Sequence, residues 1–158
     1  MICDYAPDGL EFAEIVTRMR GHLAEPASVL IHETATPPLD TIAVGFVTGQ
    51  LALGPSDQRT VIFGNAAPRR DRHEVSEGNL GRGLRYAKLD NGAEIVSVNS
   101  EHAFSFVKDN VVEYRDVASP AAGSQFRSRD YFPKYVAAVV DGDYSVLTAE
   151  LDPGTIEP

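Results

Sequence analysis

A chain of 158 residues, 43% hydrophobic and 23% charged, has the length and composition of one globular domain rather than of a disordered chain. Its formal net charge of −9, from 14 Lys and Arg against 23 Asp and Glu, argues against nucleic acid or an anionic membrane as a partner. The single cysteine, Cys3, precludes an internal disulfide, the N-terminus MICDYAPDG lacks a signal-peptide pattern, and no apolar run reaches the length of a membrane span, so the expected location is the cytoplasm.

In chain order, Met1 to Cys3 is a short apolar run that ends at Asp4, and Tyr5 to Gly9 reads as a turn. Asp8 is placed to cap a helix with apolar positions Leu10, Phe12, Ala13, Ile15, Val16, Met19 and Leu23, which Pro26 ends. Ser28 to His32 (SVLIH) reads as a strand buried on both faces, and Thr34 to Asp40 as a loop. Thr41 to Leu53 reads as a very apolar helix stopped by Gly54-Pro55, and Thr60 to Phe63 as another buried strand. Strand, helix, strand, helix, strand predicts parallel pairing, with ligands bound outside the carboxyl ends of the strands. Those ends are Cys3-Asp4-Tyr5, His32-Glu33-Thr34 and Gly64-Asn65-Ala66.

Gly64 to Gly83 is long for a connection, which marks it as functional or mobile. Its arginines, Arg69, Arg70 and Arg72, with Arg82 and Arg85 beyond, suit a solvated loop or a phosphate or carboxylate ligand. Leu84 to Leu89 and Glu94 to Val98 flank Asp90-Asn91-Gly92, a hairpin signal. Val111 to Tyr114 is a further strand, Ser119 to Gln125 a loop, and Asp130 to Val140 a last helix. The expected fold is therefore a single α/β domain over 1–150, a mostly parallel sheet flanked by helices with a β-hairpin in the second half. A tail, 151–158, is expected on the surface.

Several single residues have two readings. Asp4 is a ribose-binding carboxylate or part of a turn with Pro7 and Gly9. Cys3 is a nucleophile or a small buried hydrophobe. His32 and Glu33 form an acid/base pair or an ordinary loop. His73-Glu74 and Glu101-His102 lack metal-ligand spacing, so no metal is expected. Phe104, Phe106, Tyr131 and Phe132 read as core, and Arg129 and Asp130 as a local pair.

Three elements carry a resemblance. They are Cys3-Asp4-Tyr5-Ala6, then His32 through Pro38-Leu39-Asp40, then Ser124-Gln125-Phe126-Arg127-Ser128-Arg129-Asp130-Tyr131-Phe132-Pro133. In order and spacing they are similar to the N-terminal domain of the S-adenosylmethionine hydroxide adenosyltransferases, the superfamily of the fluorinase and chlorinase. The resemblance covers nearly the whole chain and implies attack by water or halide on C5′ of S-adenosylmethionine, expelling methionine. It implies that S-adenosylmethionine is the substrate, with no metal, and that the protein is a homo-oligomer, a trimer. It assigns Asp4 to the ribose hydroxyls, Tyr5, Asp8, His32 and Leu39 to ligand contact, and Asn65, Arg72, Arg127 and Ser128 to the reacting side.

The chain also departs from that pattern. Asn65 or Ala67 stands where the hydrolases have Asp, and Arg127 where they have His. Asn, Arg and Arg supply no base near neutral pH. The family's C-terminal domain, which holds the adenine from a neighbouring subunit, has no counterpart in these 158 residues. Ser128 matches the fluorinase's halide-contacting serine, or else caps the last helix. The alternative to an enzyme is a catalytically degenerate member acting as a ligand-binding or oligomeric partner subunit.

Overall fold

The computed structural model describes residues 1–4, 9–66, 83–118 and 127–158. The apolar segments form one seven-stranded open sheet in the order β2-β1-β3-β5-β4-β6-β7. The strands are β1 (Ile2–Cys3), β2 (Thr34–Ala35), β3 (Val61–Asn65), β4 (Leu84–Leu89), β5 (Glu94–Val98), β6 (Val111–Val117) and β7 (Leu147–Glu150). β1 pairs in parallel with β2 and β3, and β3 with β5. The remaining pairs, β4 with β5 and β6 and β6 with β7, are antiparallel. The sheet is thus parallel in its first half and antiparallel in its second.

Helices cover both faces. α1 (Leu10–His22) presents Phe12, Ile15 and Met19, three and four residues apart, to a core with Cys3, Phe63, Tyr86 and Val96. α4 (Phe132–Val140) joins the same face through Phe132, Val136 and Val139. α2 (Thr41–Ala52) covers the other face, where Val44 and Ala52 meet Ile2, Ile62, Ile95 and Phe104. It lies so close that a Cβ at Gly45 would stand 2.0 Å from the His102 carbonyl oxygen. A short helix, α3 (Arg127–Asp130), packs against α1 and α4. Among the described residues no helix is long and apolar enough to cross a membrane.

The hairpin forms where Asn-Gly placed it. Leu89 N–H donates to the Ala93 carbonyl at 2.9 Å, enclosing three residues, and Gly92 takes φ 87°, the left-handed conformation that this loop needs. Asn91 Nδ2 donates to the Ala52 carbonyl at 2.7 Å and ties the turn to the end of α2.

Four expectations need correction. Ser28–His32 is not a buried strand: Leu30 is 74% exposed while Val29 and Ile31 pack inward, and only Thr34–Ala35 align with β1 at the sheet edge. The last helix is broken at Tyr131, because Pro133, which has no N–H to donate, fits only the first turn of a new helix. Phe106 is 45% exposed rather than core. α1 ends at His22, before Pro26, and its N-cap is Gly9, with no side-chain capping bond; Asp8 lies outside the described residues. The tail lies on the surface, with Ile156 buried and Lys108 Nζ donating to its carbonyl at 2.5 Å.

Candidate functional site

The order β2-β1-β3 makes β1 the strand from which the chain departs in both directions, with α1 and α2 on opposite faces. The carboxyl ends of β1 and β3 therefore flank a topological switch point, where open α/β sheets leave a crevice. Cys3, Asp4 and Asn65 stand there. Cys3 pairs with Asn65 in the ladder, and Asp4 N–H donates to the Asn65 carbonyl at 3.3 Å.

The two sides of this point differ in chemistry. On the α1 face, Asn65 Nδ2 donates to Cys3 Sγ at 3.2 Å, and both side chains are buried. Cys3 sits in the α1 core at 0% exposure, the place of a small hydrophobe. On the α2 side, Asp4 Oδ2 accepts the Leu39 backbone N–H at 3.1 Å. Leu39 has φ 61°, a conformation that a branched side chain adopts at a cost, and this aims its N–H at Asp4. Asp40 fixes the next residues by accepting from Ala43 N–H at 2.8 Å, capping α2. Partial burial raises the Asp4 carboxyl above its ordinary value of 3.8, and the Leu39 N–H opposes that rise in part.

The structure brings some of the sequence-predicted site residues together and leaves others apart. Asp4 and Leu39 come together, and Asn65 joins them through the backbone. His32 does not. Its carbonyl accepts from the Met1 amine at 2.5 Å, which puts it before the amino end of β1, at the far end of the strand from Asp4. Arg127 and Ser128 are buried at the start of α3, with the Arg127 guanidinium 5.4 Å from the Phe132 ring centroid. Ser128 is inside α3, and the N-cap of α4 is Tyr131. Arg129 pairs with Asp130 at 2.8 Å and with Glu14 on α1 at 3.5 Å. Tyr5, Asp8 and Arg72, like Arg69, Arg70 and Arg82, lie outside the described residues. Arg85 is held by Asp116 and the Tyr114 hydroxyl, both at 3.1 Å.

Two features escaped the sequence reading. Thr36, placed in a loop, is buried beside Asp4. Glu94 is 2% exposed and binds Arg59, Tyr86 and Tyr144 at the opposite pole of the sheet. A lone carboxylate opening the apolar run Glu94–Val98 was the available signal for the second; nothing local marked the first. Among the described residues no group of three or more His, Cys, Asp and Glu is clustered as metal ligands would be. A hollow of about 280 Å³ lies on the far half of α2, lined by Phe46, Gly49, Gln50, Leu53, Gly54 and Phe106, away from Asp4.

No family model and no curated protein matches the chain. Among solved structures, the chain is similar to an uncharacterized conserved protein from Thermotoga maritima, with a TM-score of 0.65 at 15% identity. The match covers 96% of this chain and 58% of the other, so this chain spans somewhat over half the length of that protein. At this identity the likeness shows a shared α/β fold.

Proposed function

We propose that the protein binds S-adenosylmethionine, or a related adenosyl ligand, at the carboxyl ends of β1 and β3, and catalyses nucleophilic substitution at C5′ with release of methionine. One observation carries the reading: a half-buried carboxylate, Asp4, stands at the switch point with one oxygen fixed by the Leu39 N–H. An ionised carboxylate only accepts hydrogen bonds, which suits ribose hydroxyls. The resemblance of the Asp4, Leu39 and Arg127-Ser128 segments to the adenosyltransferase elements supports the same ligand.

The chemistry fits the residues present. In the substitution a bond forms from the nucleophile to C5′ and the C5′–S bond breaks. The sulfonium sulfur takes the electron pair and leaves as neutral methionine, so no general acid is required. A halide attacks without losing a proton and needs no base either. Asn65 or Ala67 at the position of the hydrolases' Asp, and Arg127 at that of their His, supply no base, which favours an anionic nucleophile over water.

The test is incubation of the purified protein with S-adenosylmethionine, with and without halide, followed by mass spectrometry. Methionine with a 5′-halo-adenosine or adenosine establishes the reaction. Intact ligand, with no thermal shift on its addition, rejects the adenosyl pocket.

A second reading, a partner subunit of a homo-oligomer, is favoured by the outer face of α2. Ile42, Phe46 and Leu53 are 56%, 51% and 43% exposed, and Phe106 packs edge-on to Phe46 with ring centroids 5.8 Å apart. A contiguous apolar face of this kind suits burial against another copy of the chain. Phe46→Glu should then shift the mass measured by light scattering to that of the monomer, whereas Asp4→Ala should leave it unchanged. A wild-type protein that is already monomeric rejects this reading.

A further inference from the structure

Thr36 follows β2, and its N–H donates to the Cys3 carbonyl at 3.0 Å, so the parallel ladder continues one residue past Ile2↔Thr34 and Cys3↔Ala35. In that register Thr36 stands opposite Asp4. Paired residues of a parallel ladder share a face, so both side chains leave the sheet towards α2. Thr36 is 8% exposed, and its hydroxyl has no hydrogen-bond partner among the described residues. Oδ2 of Asp4 is occupied by Leu39 N–H, while Oδ1 takes no hydrogen bond from another described residue.

A buried hydroxyl without a partner is unfavourable and is normally satisfied. Thr48 and Ser100 have similarly unpartnered hydroxyls. Thr48 lies within α2, where a hydroxyl can turn to the carbonyl one turn back, and Ser100 lies in a turn after β5. Neither stands opposite Asp4 in the β1–β2 ladder. Thr36 does, and its hydroxyl can both donate and accept.

Resting on the adenosyl reading above, we propose that Thr36 is a ligand-contacting residue of this site: its hydroxyl pairs with the ligand hydroxyl adjacent to the one held by Asp4, so that the site selects a vicinal diol. Two adjacent ligand hydroxyls then meet two adjacent protein groups, one an acceptor only and the other a donor and acceptor. A ligand lacking either hydroxyl leaves one of them buried and unpaired, which costs more than the hydrogen bond alone returns.

The test uses Thr36→Val, which keeps the shape and removes the hydroxyl. Binding of adenosine, 2′-deoxyadenosine and 3′-deoxyadenosine is measured by calorimetry on wild type and variant, and both are melted without ligand. The proposal expects a melting temperature equal to or above wild type. It also expects adenosine affinity about tenfold weaker in the variant, with no difference between the two proteins for one of the deoxyadenosines, the one lacking the hydroxyl that Thr36 meets. Wild-type adenosine affinity in Thr36→Val overturns it, as does a lowered melting temperature, the mark of a hydroxyl already paired within the fold. A wild type that binds neither adenosine nor S-adenosylmethionine removes the adenosyl reading itself and this proposal with it. Retained wild-type binding with an indifferent Thr36→Val removes the proposal alone.

Discussion

Arg59 Nε donates to Glu94 Oε2 at 2.8 Å, joining the segment before β3 to the first residue of β5. The same guanidinium donates to the Val139 carbonyl at 2.7 Å and the Val140 carbonyl at 2.5 Å, at the end of α4. One cation thus neutralises a buried carboxylate and caps the negative end of a helix. Glu94 Oε1 accepts from the Tyr86 hydroxyl at 3.0 Å and the Tyr144 hydroxyl at 2.6 Å, which satisfies its second oxygen. The cluster fastens the antiparallel half of the sheet to α4, at the pole away from Asp4.

Arg59→Met should therefore destabilise the fold strongly, because it leaves Glu94 charged and 2% exposed without its cation. Breaking a fully buried pair costs about 3–5 kcal/mol. The Arg59 side chain is 45% exposed, so water recovers part of that, and the expected loss is about 2–3 kcal/mol. Thermal melting followed by circular dichroism measures it, and an unchanged midpoint would show that the cluster contributes nothing.

The tyrosines give a pH dependence. Burial, followed by donation to Glu94, pushes the Tyr86 hydroxyl far above its ordinary 10.0, and the Glu94 bond raises Tyr144 in the same direction. Above pH 10 the unfolded chain releases these protons while the folded chain keeps them. The native state then binds more protons, so stability falls as pH rises; below pH 10 the two states are alike and the contribution is fully present. Each proton adds about 1.4 kcal/mol per pH unit to the slope. Melting midpoints of wild type and Tyr144→Phe across pH 8–11 test this: the variant should lose midpoint less steeply above pH 10, and parallel curves would refute the assignment.

Two glycines in helices should respond in opposite senses to alanine. At Gly45 a Cβ meets the His102 backbone, which cannot swing aside, so α2 must shift and Gly45→Ala should cost about 1–3 kcal/mol. At Gly21 nothing lies within 4 Å, and Gly21→Ala should gain up to about 1 kcal/mol from helix propensity. Chemical denaturation resolves both. Equal effects would mean that the close approach of α2 is not what places glycine at 45.

These sites also show what the amino-acid pattern made legible. Residues 61–63 of β3 and the hairpin were readable because β-branched runs and Asn-Gly act locally. Asp4 was readable as a carboxylate closing a short apolar run. Ser28–His32 misled because apolar residues at a sheet edge look like those of a central strand, and only pairing tells them apart. β7 was missed because Leu147–Glu150 exposes three of its four residues and carries little apolar signal. Thr36 and Arg59 were invisible because their settings depend on residues distant in sequence: Thr36 is buried against β1 through its N–H bond to the Cys3 carbonyl, and Arg59 binds Glu94 and the end of α4.

Asp4 should trade stability for binding. Its carboxyl is raised above 3.8 mainly by burial, so the folded state disfavours its charged form. Between pH 3.8 and the raised folded value the native state holds the proton more tightly than the unfolded chain does. Stability therefore falls as pH rises through this window, and the penalty is complete above it. Asp4→Asn removes the charge and keeps an oxygen to accept the Leu39 N–H, so its melting midpoint at pH 7 should equal or exceed that of wild type. On the proposed adenosyl reading the same change replaces a charged acceptor by a neutral one, so adenosyl ligands should bind about 10–100-fold more weakly. A more stable protein that binds less is the signature of a carboxylate kept for a ligand. A less stable Asp4→Asn with unchanged affinity would instead make Asp4 a structural cap of the Leu39 turn.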